Sequence, residues 1–486
     1  MTISEAEAQE AVPDTEVLDR PEVVLTPHQQ AAYDLLQAFA LGQGERRGMA
    51  TLVGYAGTGK TTLVGKLVRY LQTALDDDGE PVFAGRLAIA APTNKAVAVL
   101  AAKIGAGGDV HAASIHSLLG LKLVEQENGD AKCLPDGEPS LHEFNLVIVD
   151  ECSMVGDDLF QHAVQHRDAC RILWVGDSAQ LPPVGDDELS PTFSIVDYKV
   201  MLSEVVRQAA GNPIIALSMR IREWIERNHR PEISDIRDAL QGTNRREASV
   251  TVGRPGDIHA FAKWSIEQDK DSCRIVAFTN AQVIAHNAAM HRILHGVTEF
   301  PYCPGETVIA QEAFTGKRLD ADGAEVETYK AVNSAEFEIV SIGADETQWR
   351  MGIDSLRLVL QDDRKVQFSC HIARNQQEFG NFMADRWRQW RAAKLRAEEA
   401  RKARDPDAYK LTETAKDLSA SNWDLSKAFA PLRHAYAVTA HKSQGSTYDT
   451  VIVDWQDLAK MRSAFDFNRA LYVACTRAAK NLAIVV

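Results

Sequence analysis

The stretch Leu52-Val53-Gly54-Tyr55-Ala56-Gly57-Thr58-Gly59-Lys60-Thr61-Thr62 constrains this chain more than any other. An apolar run, a loop of the form G-x-x-x-x-G-K-[ST] and the amphipathic pattern Leu63 to Leu75 read as strand, loop and helix of an α/β sheet. Glycines let backbone N–H groups converge on anionic oxygens, and the helix N-terminus adds partial positive charge. Gly54, Ala56, Gly57, Thr58, Gly59 and Thr62 then form a cradle for phosphate, while Lys60 reaches the outer phosphates and Thr61 ligates Mg²⁺. Glycine-rich strand-to-helix turns also occur as plain connections, but the flanking strand and helix favour a nucleotide site.

At 486 residues the chain exceeds one core, and its length suggests about three domains. The net charge of −15 argues against a protein that coats DNA with a uniformly basic surface. It leaves open a locally basic groove holding a strand. No run of about 18 apolar residues occurs, so no membrane span or membrane partner is expected. Residues 1–22 read as a disordered acidic tail rather than a signal peptide, because no basic-then-apolar arrangement is present. The seven cysteines are scattered with no C-x-x-C pair, which points to a reducing cytoplasm and against structural zinc.

Taken in order, Leu25-Thr26-Pro27-His28-Gln29 starts a helix, and Gln29 either closes a capping box on Thr26 or reads an adenine edge. A strand over Arg86 to Ala91 ends in Pro92-Thr93-Asn94, and Ser114-Ile115-His116-Ser117 marks a second strand end. Small polar residues at such ends either cap helices or face the ligand crevice of an α/β sheet. Leu121 to Leu134 reads as a hairpin within an insertion at 118–143. The apolar strand Phe144 to Val149 runs straight into Asp150-Glu151. There Asp150 would hold Mg²⁺ and Glu151 would position or deprotonate water. The strand Arg171 to Val175 leads into Gly176-Asp177 and on to Gln180, which falls near a γ-phosphate. Residues 23–200 thus form a first doubly wound parallel core.

A second core begins at 201–300, with a strand Arg274 to Phe278 ending at Thr279-Asn280. Residues 301–431 change character to short β-like runs and one long helix, Gln376 to Arg404, as expected of an inserted SH3-like barrel with a helical accessory part. The basic stretch Arg386 to Arg404 is either a solvated helix face or a nucleic-acid contact. The second core returns at 432–486 with Ala435 to Thr439, the loop His441-Lys442-Ser443-Gln444-Gly445, and a helical stretch Leu471 to Arg477.

This order of motifs resembles the superfamily 1 helicases of the 5′-to-3′ branch, in their Dda- and RecD-like group, from about Leu25 to the C-terminus. The resemblance implies two RecA-like parallel-sheet cores, a β-hairpin insertion in the first, and ATP with Mg²⁺ as cofactors. It assigns Gln29 to adenine, adds Gly445 to the nucleotide site, and gives Lys60, Asp150, Glu151, Gln180, Arg207 and Arg477 to catalysis. The two arginines would meet the γ-phosphate from across an inter-core cleft. It places Pro92, Thr93, Asn94, His116, Thr279, Asn280, Thr439, His441 and Lys442 along a single-strand track. Expected partners are single-stranded DNA and single-to-double-strand junctions, in the company of replication or repair proteins, with the chain acting as a monomer. The hairpin Leu121 to Leu134 carries no aromatic residue, so displacement of proteins from DNA without productive unwinding is an alternative activity. A P-loop kinase is a reading of another class, and it leaves the second core unexplained. Cys152 and Cys475 read as small buried hydrophobes.

Overall fold

The computed structural model describes residues 24–42, 48–105, 110–125, 131–183, 188–194, 196–204, 212–241 and 248–486. The acidic tail, the turn of the hairpin and Arg207 lie outside these residues. The chain divides into two compact units, one of residues 1–251, 443–447 and 458–482, the other of 252–442, 448–457 and 483–486.

The first unit is built on a six-stranded sheet, ordered His111–Ser114, Leu87–Ala91, Leu146–Val149, Arg171–Gly176, Met49–Gly54 and Tyr198–Leu202, whose paired strands run parallel. Its central strands are continuous apolar runs because both faces are covered. Successive side chains point to opposite faces, and the two cores sort accordingly. Leu52, Leu146, Ile148, Leu173 and Val175 join Leu36, Leu63, Leu67 and Leu100 on one side. Val53, Val147, Val149, Ile172 and Trp174 join Ile115, Leu118, Leu159 and Phe160 on the other. Register then fixes the functional geometry, since Val53 lies opposite Gly176 and Val149 opposite Trp174. The ends carrying the P-loop, Gly176-Asp177 and Asp150-Glu151 are therefore side by side. The hairpin is formed by Leu121–Glu125 and Ala131–Pro135.

In the second unit Cys273–Ala277 pairs in parallel with Ala437–Thr439 and Tyr448–Asp454. The helices Ile258–Gln268 and Asn280–His295 supply Ile258, Ala262, Val283 and Met290 to its core. This second parallel sheet also takes in Ala478–Val485 and Ser249–Gly253. An antiparallel seven-stranded sheet interrupts the core, ordered Glu325–Ala331, Phe314–Leu319, Gln367–Ala373, Ile353–Gln361, Glu336–Arg350, Thr307–Ala310 and Leu432–His434. Val308, Phe337, Leu358 and Phe368 fill its interior, with Tyr329 stacked 3.9 Å from Phe368. Buried Arg274 on the parallel sheet meets Glu336 on the antiparallel one at 2.7 Å and so joins the two sheets.

Two long helices follow, Gln376–Lys402 and Ala408–Ala428. The sequence indicated only the first. The second is rich in Thr, Ser, Asn and Asp, residues that compete with the helical backbone for hydrogen bonds, and it is held by packing against its partner.

Leu67, fully buried on the helix that follows the P-loop, tests how firmly that helix is seated. Leu67→Ala should cost about 2–5 kcal/mol and lower the urea midpoint of the first unit. An unchanged midpoint would contradict this packing.

Candidate functional site

Left-handed backbone at Gly57 (φ 80°) and Gly59 (φ 86°) shapes the P-loop, a conformation glycine adopts without penalty. A side chain on Gly54 would come within 2.8 Å of Thr58 Oγ1. That hydroxyl donates to the Tyr55 carbonyl at 2.8 Å and braces the turn. Gly59 precedes the helix Lys60–Thr73 without a side-chain cap, so the first N–H groups of the helix are not taken by a capping side chain. Thr61 and Thr62 stand in its first turn, and Lys60 Nζ donates to the Gly54 and Tyr55 carbonyls. Gln29 satisfies the capping reading, since its Oε1 accepts from Thr26 N and Thr26 Oγ1 accepts from Gln29 N. Its Nε2 also donates to the Thr58 carbonyl at 3.0 Å. The cap and the contact with the nucleotide loop are thus made by one amide.

Glu151 has φ 53° and ψ 38°, a left-handed conformation that costs a non-glycine residue on the order of 1 kcal/mol. The twist lets Glu151 N donate to Asp150 Oδ1 at 2.9 Å. Burial and the Glu151 charge push the Asp150 carboxyl up to about 6, against the pull of the Glu151 N–H, Lys60 and Lys103. Beside it the Cys152 thiol is buried and pushed far above its usual range. Cys475 is likewise fully buried. Gly445 belongs to the same unit, and a side chain there would lie 3.9 Å from Glu151 Oε1 and 3.7 Å from Ala96 Cβ.

The helix Ala464–Thr476 brings polar groups to these loops. Tyr472 donates its hydroxyl proton to Asp177 Oδ2 at 2.7 Å and accepts from Ala56 N of the P-loop at 3.0 Å. Asp177 is fully buried and also accepts from Ala179 N. Burial, with the Asp177 charge added, holds the Tyr472 hydroxyl well above its usual pKa. Three residues earlier, Arg469 donates to the Ser178 carbonyl at 3.2 Å and lies over the Phe465 ring. Its Nε and Nη1 are buried without a hydrogen-bond partner, and burial draws its pKa down to about 10. Arg477 donates to the carbonyls of Ser446 and Val473. Gln180 is buried, with Gln444 Nε2 at 3.5 Å from its Oε1. Arg222 stacks 3.1 Å above the Tyr55 ring centroid and ties the helix Pro213–Glu226 to the P-loop.

The sequence had not singled out Arg222 or Arg469, and Tyr472, which opens the motif ending at Arg477, had been given no role of its own. An Arg and a Tyr three apart in a helix whose stretch Ala470 to Cys475 is otherwise apolar were the available signal, because such residues enter a core only when something meets them.

The residues expected along a single-strand track fall into two groups. In the first unit Thr93 caps the helix Asn94–Ile104. His116 hydrogen-bonds the Pro92 backbone, and burial lowers its pKa against that bond. In the second unit Thr279 caps the helix Asn280–His295 and is pinned to Asp457 through both its N–H and its hydroxyl. Asn280 Oδ1 accepts from Arg433, and Lys442 Nζ donates to Gln311 Oε1 at 2.9 Å. Thr439 Oγ1 accepts from Lys442 N. His441 sits with Lys442 on the short helix Ala440–Ser443. Burial and the Arg433 charge lower the Lys442 pKa. Arg433 and Gln311, on strands of or beside the inserted sheet, escaped the sequence reading because the strand-end pattern does not reach them.

A P-loop on a parallel sheet, a carboxylate pair on the next strand but one and a second parallel-sheet core are the parts of a nucleotide-binding enzyme of the helicase class. A family model described as an AAA domain matches residues 25–238, and one described as a UvrD-like helicase C-terminal domain matches 434–485. The chain is 25% identical over 443 residues to the ATP-dependent DNA helicase dda of Enterobacteria phage T4, covering 84% of this chain and 88% of that one. It is 22% identical over 484 residues to the uncharacterized protein R530 of Acanthamoeba polyphaga mimivirus (90% and 94%). It is 32% identical over 234 residues to the RecBCD enzyme subunit RecD of Mycobacterium tuberculosis, 40% of this chain and 39% of that one. The fold is shared with Pif1 helicase from Bacteroides in complex with ADP-AlF3 and ssDNA, at a TM-score of 0.50 and 15% identity over 95% of this chain and 92% of that one. In sequence the chain is thus similar to superfamily 1 helicases of the Dda and RecD type, and in fold to Pif1 helicase.

Tyr472→Phe removes a hydrogen bond to a buried carboxylate, worth about 1.5–3 kcal/mol. The variant should fold normally and lose about 10- to 100-fold in nucleotide hydrolysis. Wild-type turnover in a folded Tyr472→Phe protein would show that this link carries no catalytic weight.

Proposed function

We propose that the protein is an ATP-driven motor that moves 5′ to 3′ on single-stranded DNA and unwinds duplex ahead of it. The observation that carries this reading is the bond chain from Asp177 through Tyr472 to the P-loop backbone, because it joins the nucleotide loop to the helix that ends at Arg477. In this reading the P-loop amides and Lys60 bind the triphosphate, with Gln29 at the adenine side. Thr61 and Asp150 offer the hydroxyl and carboxylate oxygens suited to Mg²⁺, which when bound would neutralise charge on the phosphates. Glu151, turned by its left-handed backbone, orients the attacking water. Gln180 and Arg477 face the charge that spreads over the transferred phosphoryl group, and the family resemblance assigns Arg207, outside the described residues, to the same charge. Gly445 brings its loop against Glu151 without a side chain in the way.

On the DNA side, Pro92, Thr93, Asn94 and His116 line one contact surface, and Thr279, Asn280, Thr439, His441 and Lys442 another, with Arg433 and Gln311 added. Backbone contacts of this kind read no sequence and weaken steeply with salt. The polarity follows the relatives of this family. The free thiols suit a reducing cytoplasm.

Single-stranded DNA should stimulate ATP hydrolysis by the purified protein, and lack of stimulation would sink the motor reading. Lys60→Ala should reduce turnover to background with the fold intact. Forked substrates test direction: unwinding is expected with a 5′ tail, and unwinding only with a 3′ tail would reverse the assignment. A second reading, displacement of proteins without unwinding, draws on the absence of aromatic residues in the hairpin. Release of streptavidin from biotinylated DNA without any strand separation would favour it.

A further inference from the structure

The helix Asn280–His295 closes on His291 and His295, one turn apart and so on one face. The chain then returns through Cys303-Pro304-Gly305-Glu306, a tight turn in which Glu306 N donates to the Cys303 carbonyl and Cys303 N donates to Glu306 Oε2. Gly305 takes φ 85° and lets the turn close. One donor atom each from His291, His295, Cys303 and Glu306 lies within 4.8 Å of the other three. His291 Nδ1 is 2.8 Å and His295 Nε2 3.4 Å from Glu306 Oε1.

We propose that His291, His295, Cys303 and Glu306 form a four-coordinate zinc site fastening the end of this helix to the entry of the antiparallel sheet. Two imidazoles, a thiolate and a carboxylate are zinc's own ligand types, at about 2.0–2.3 Å. The sulfur and nitrogen donors disfavour the hard cations Mg²⁺ and Ca²⁺. Thiolate and carboxylate together cancel the charge of Zn²⁺, so the loaded cluster is neutral where Glu306 is 4% exposed. Loading forms two Zn–N bonds, one Zn–S and one Zn–O bond. The Cys303 thiol proton goes to solvent, the proton between His291 Nδ1 and Glu306 passes to His291 Nε2 beside Thr298 Oγ1 so that both imidazoles stay neutral, and the four donors draw inward.

An outer layer already orients the ligands, as metal sites require. Tyr436 donates to Glu306 Oε1 at 2.6 Å, and Thr298 Oγ1 lies 3.1 Å from His291 Nε2. The His434 ring packs 4.8 Å from His291. The donor set includes a single cysteine, and for that reason cysteine spacing does not reveal it.

The site is tested on the full chain, tag-free and purified without chelator. Elemental analysis should find about one zinc per chain. Metal-stripped protein titrated with Co²⁺ should show a thiolate-to-cobalt charge-transfer band and tetrahedral visible bands, saturating at one equivalent. Cys303→Ser should abolish the charge-transfer band. His295→Ala, at a more exposed position, should weaken zinc binding by at least about tenfold. Circular dichroism establishes that both variants are folded. A stripped wild-type protein with no stoichiometric Co²⁺ uptake, or a Cys303→Ser spectrum equal to wild type, would overturn the proposal and leave a metal-free hydrogen-bonded network. None of these readouts depends on ATP hydrolysis, so they stand or fall apart from the motor reading.

Discussion

The hydrogen bond from Tyr472 to Asp177 is the contact on which the organisation of the first unit turns. A buried carboxylate is costly unless it is paired, and Asp177 finds its partners in the Ala179 N–H and a hydroxyl almost three hundred residues later in the chain. The same hydroxyl accepts from Ala56 N. Three motifs far apart in sequence therefore share one oxygen. Displacing any of them leaves a buried polar group unsatisfied, and that penalty couples the P-loop, the Gly176-Asp177 loop and the helix leading to Arg477. Arg469 adds charge to the same region with two of its nitrogens unmatched, and an incoming anion could meet them.

Sheet order makes that sharing possible. Parallel neighbours lie about 4.8 Å apart, and the three strands that carry chemistry at their C-terminal ends are consecutive in space although the chain visits them as first, sixth and seventh. A doubly wound sheet gathers ligand loops at one edge in this way. The second core uses the device differently. There the strand ends carry Thr279 and Thr439, but Asp457 takes up the former and Arg433 and Gln311 reach in from the antiparallel insertion. The inserted sheet, joined to the core by the buried Arg274–Glu336 pair, thus supplies side chains to the surface it adjoins.

How much of this was legible in the sequence follows from range. The P-loop, the strand before Asp150 and the capping box at Thr26 are local patterns, and each appears where its residues indicate. Gln29 shows the limit of local reading, because the capping oxygen and the loop-bracing nitrogen belong to one amide and neither role excludes the other. Tyr472, Arg469 and Arg222 act through contacts well over a hundred residues away, which no window of sequence contains. The helix Ala408–Ala428 was hidden for a different reason. Its polar residues weaken the apolar period, and tertiary packing overrides their low propensity.

The active-site side of the first unit carries several costs at once. Glu151 holds a left-handed backbone, Asp150 is ionised only against the combined effect of burial and its neighbour's charge, and Arg469 is buried short of partners. Strain and mismatched charge of this kind cluster where a ligand is meant to act. Under the proposed function each term has the sign that a triphosphate with its cation would relieve: a cation would favour ionised Asp150, and phosphates would favour Lys60 and the arginines. Ligand binding and folding of this unit are then linked, because any species that binds the folded form alone stabilises it. In the proposed motor, the same unfavourable terms that lower the stability of the free protein would make nucleotide state a strong influence on the loops around Asp177 and Tyr472. A site already relaxed without ligand would have less free energy to transmit.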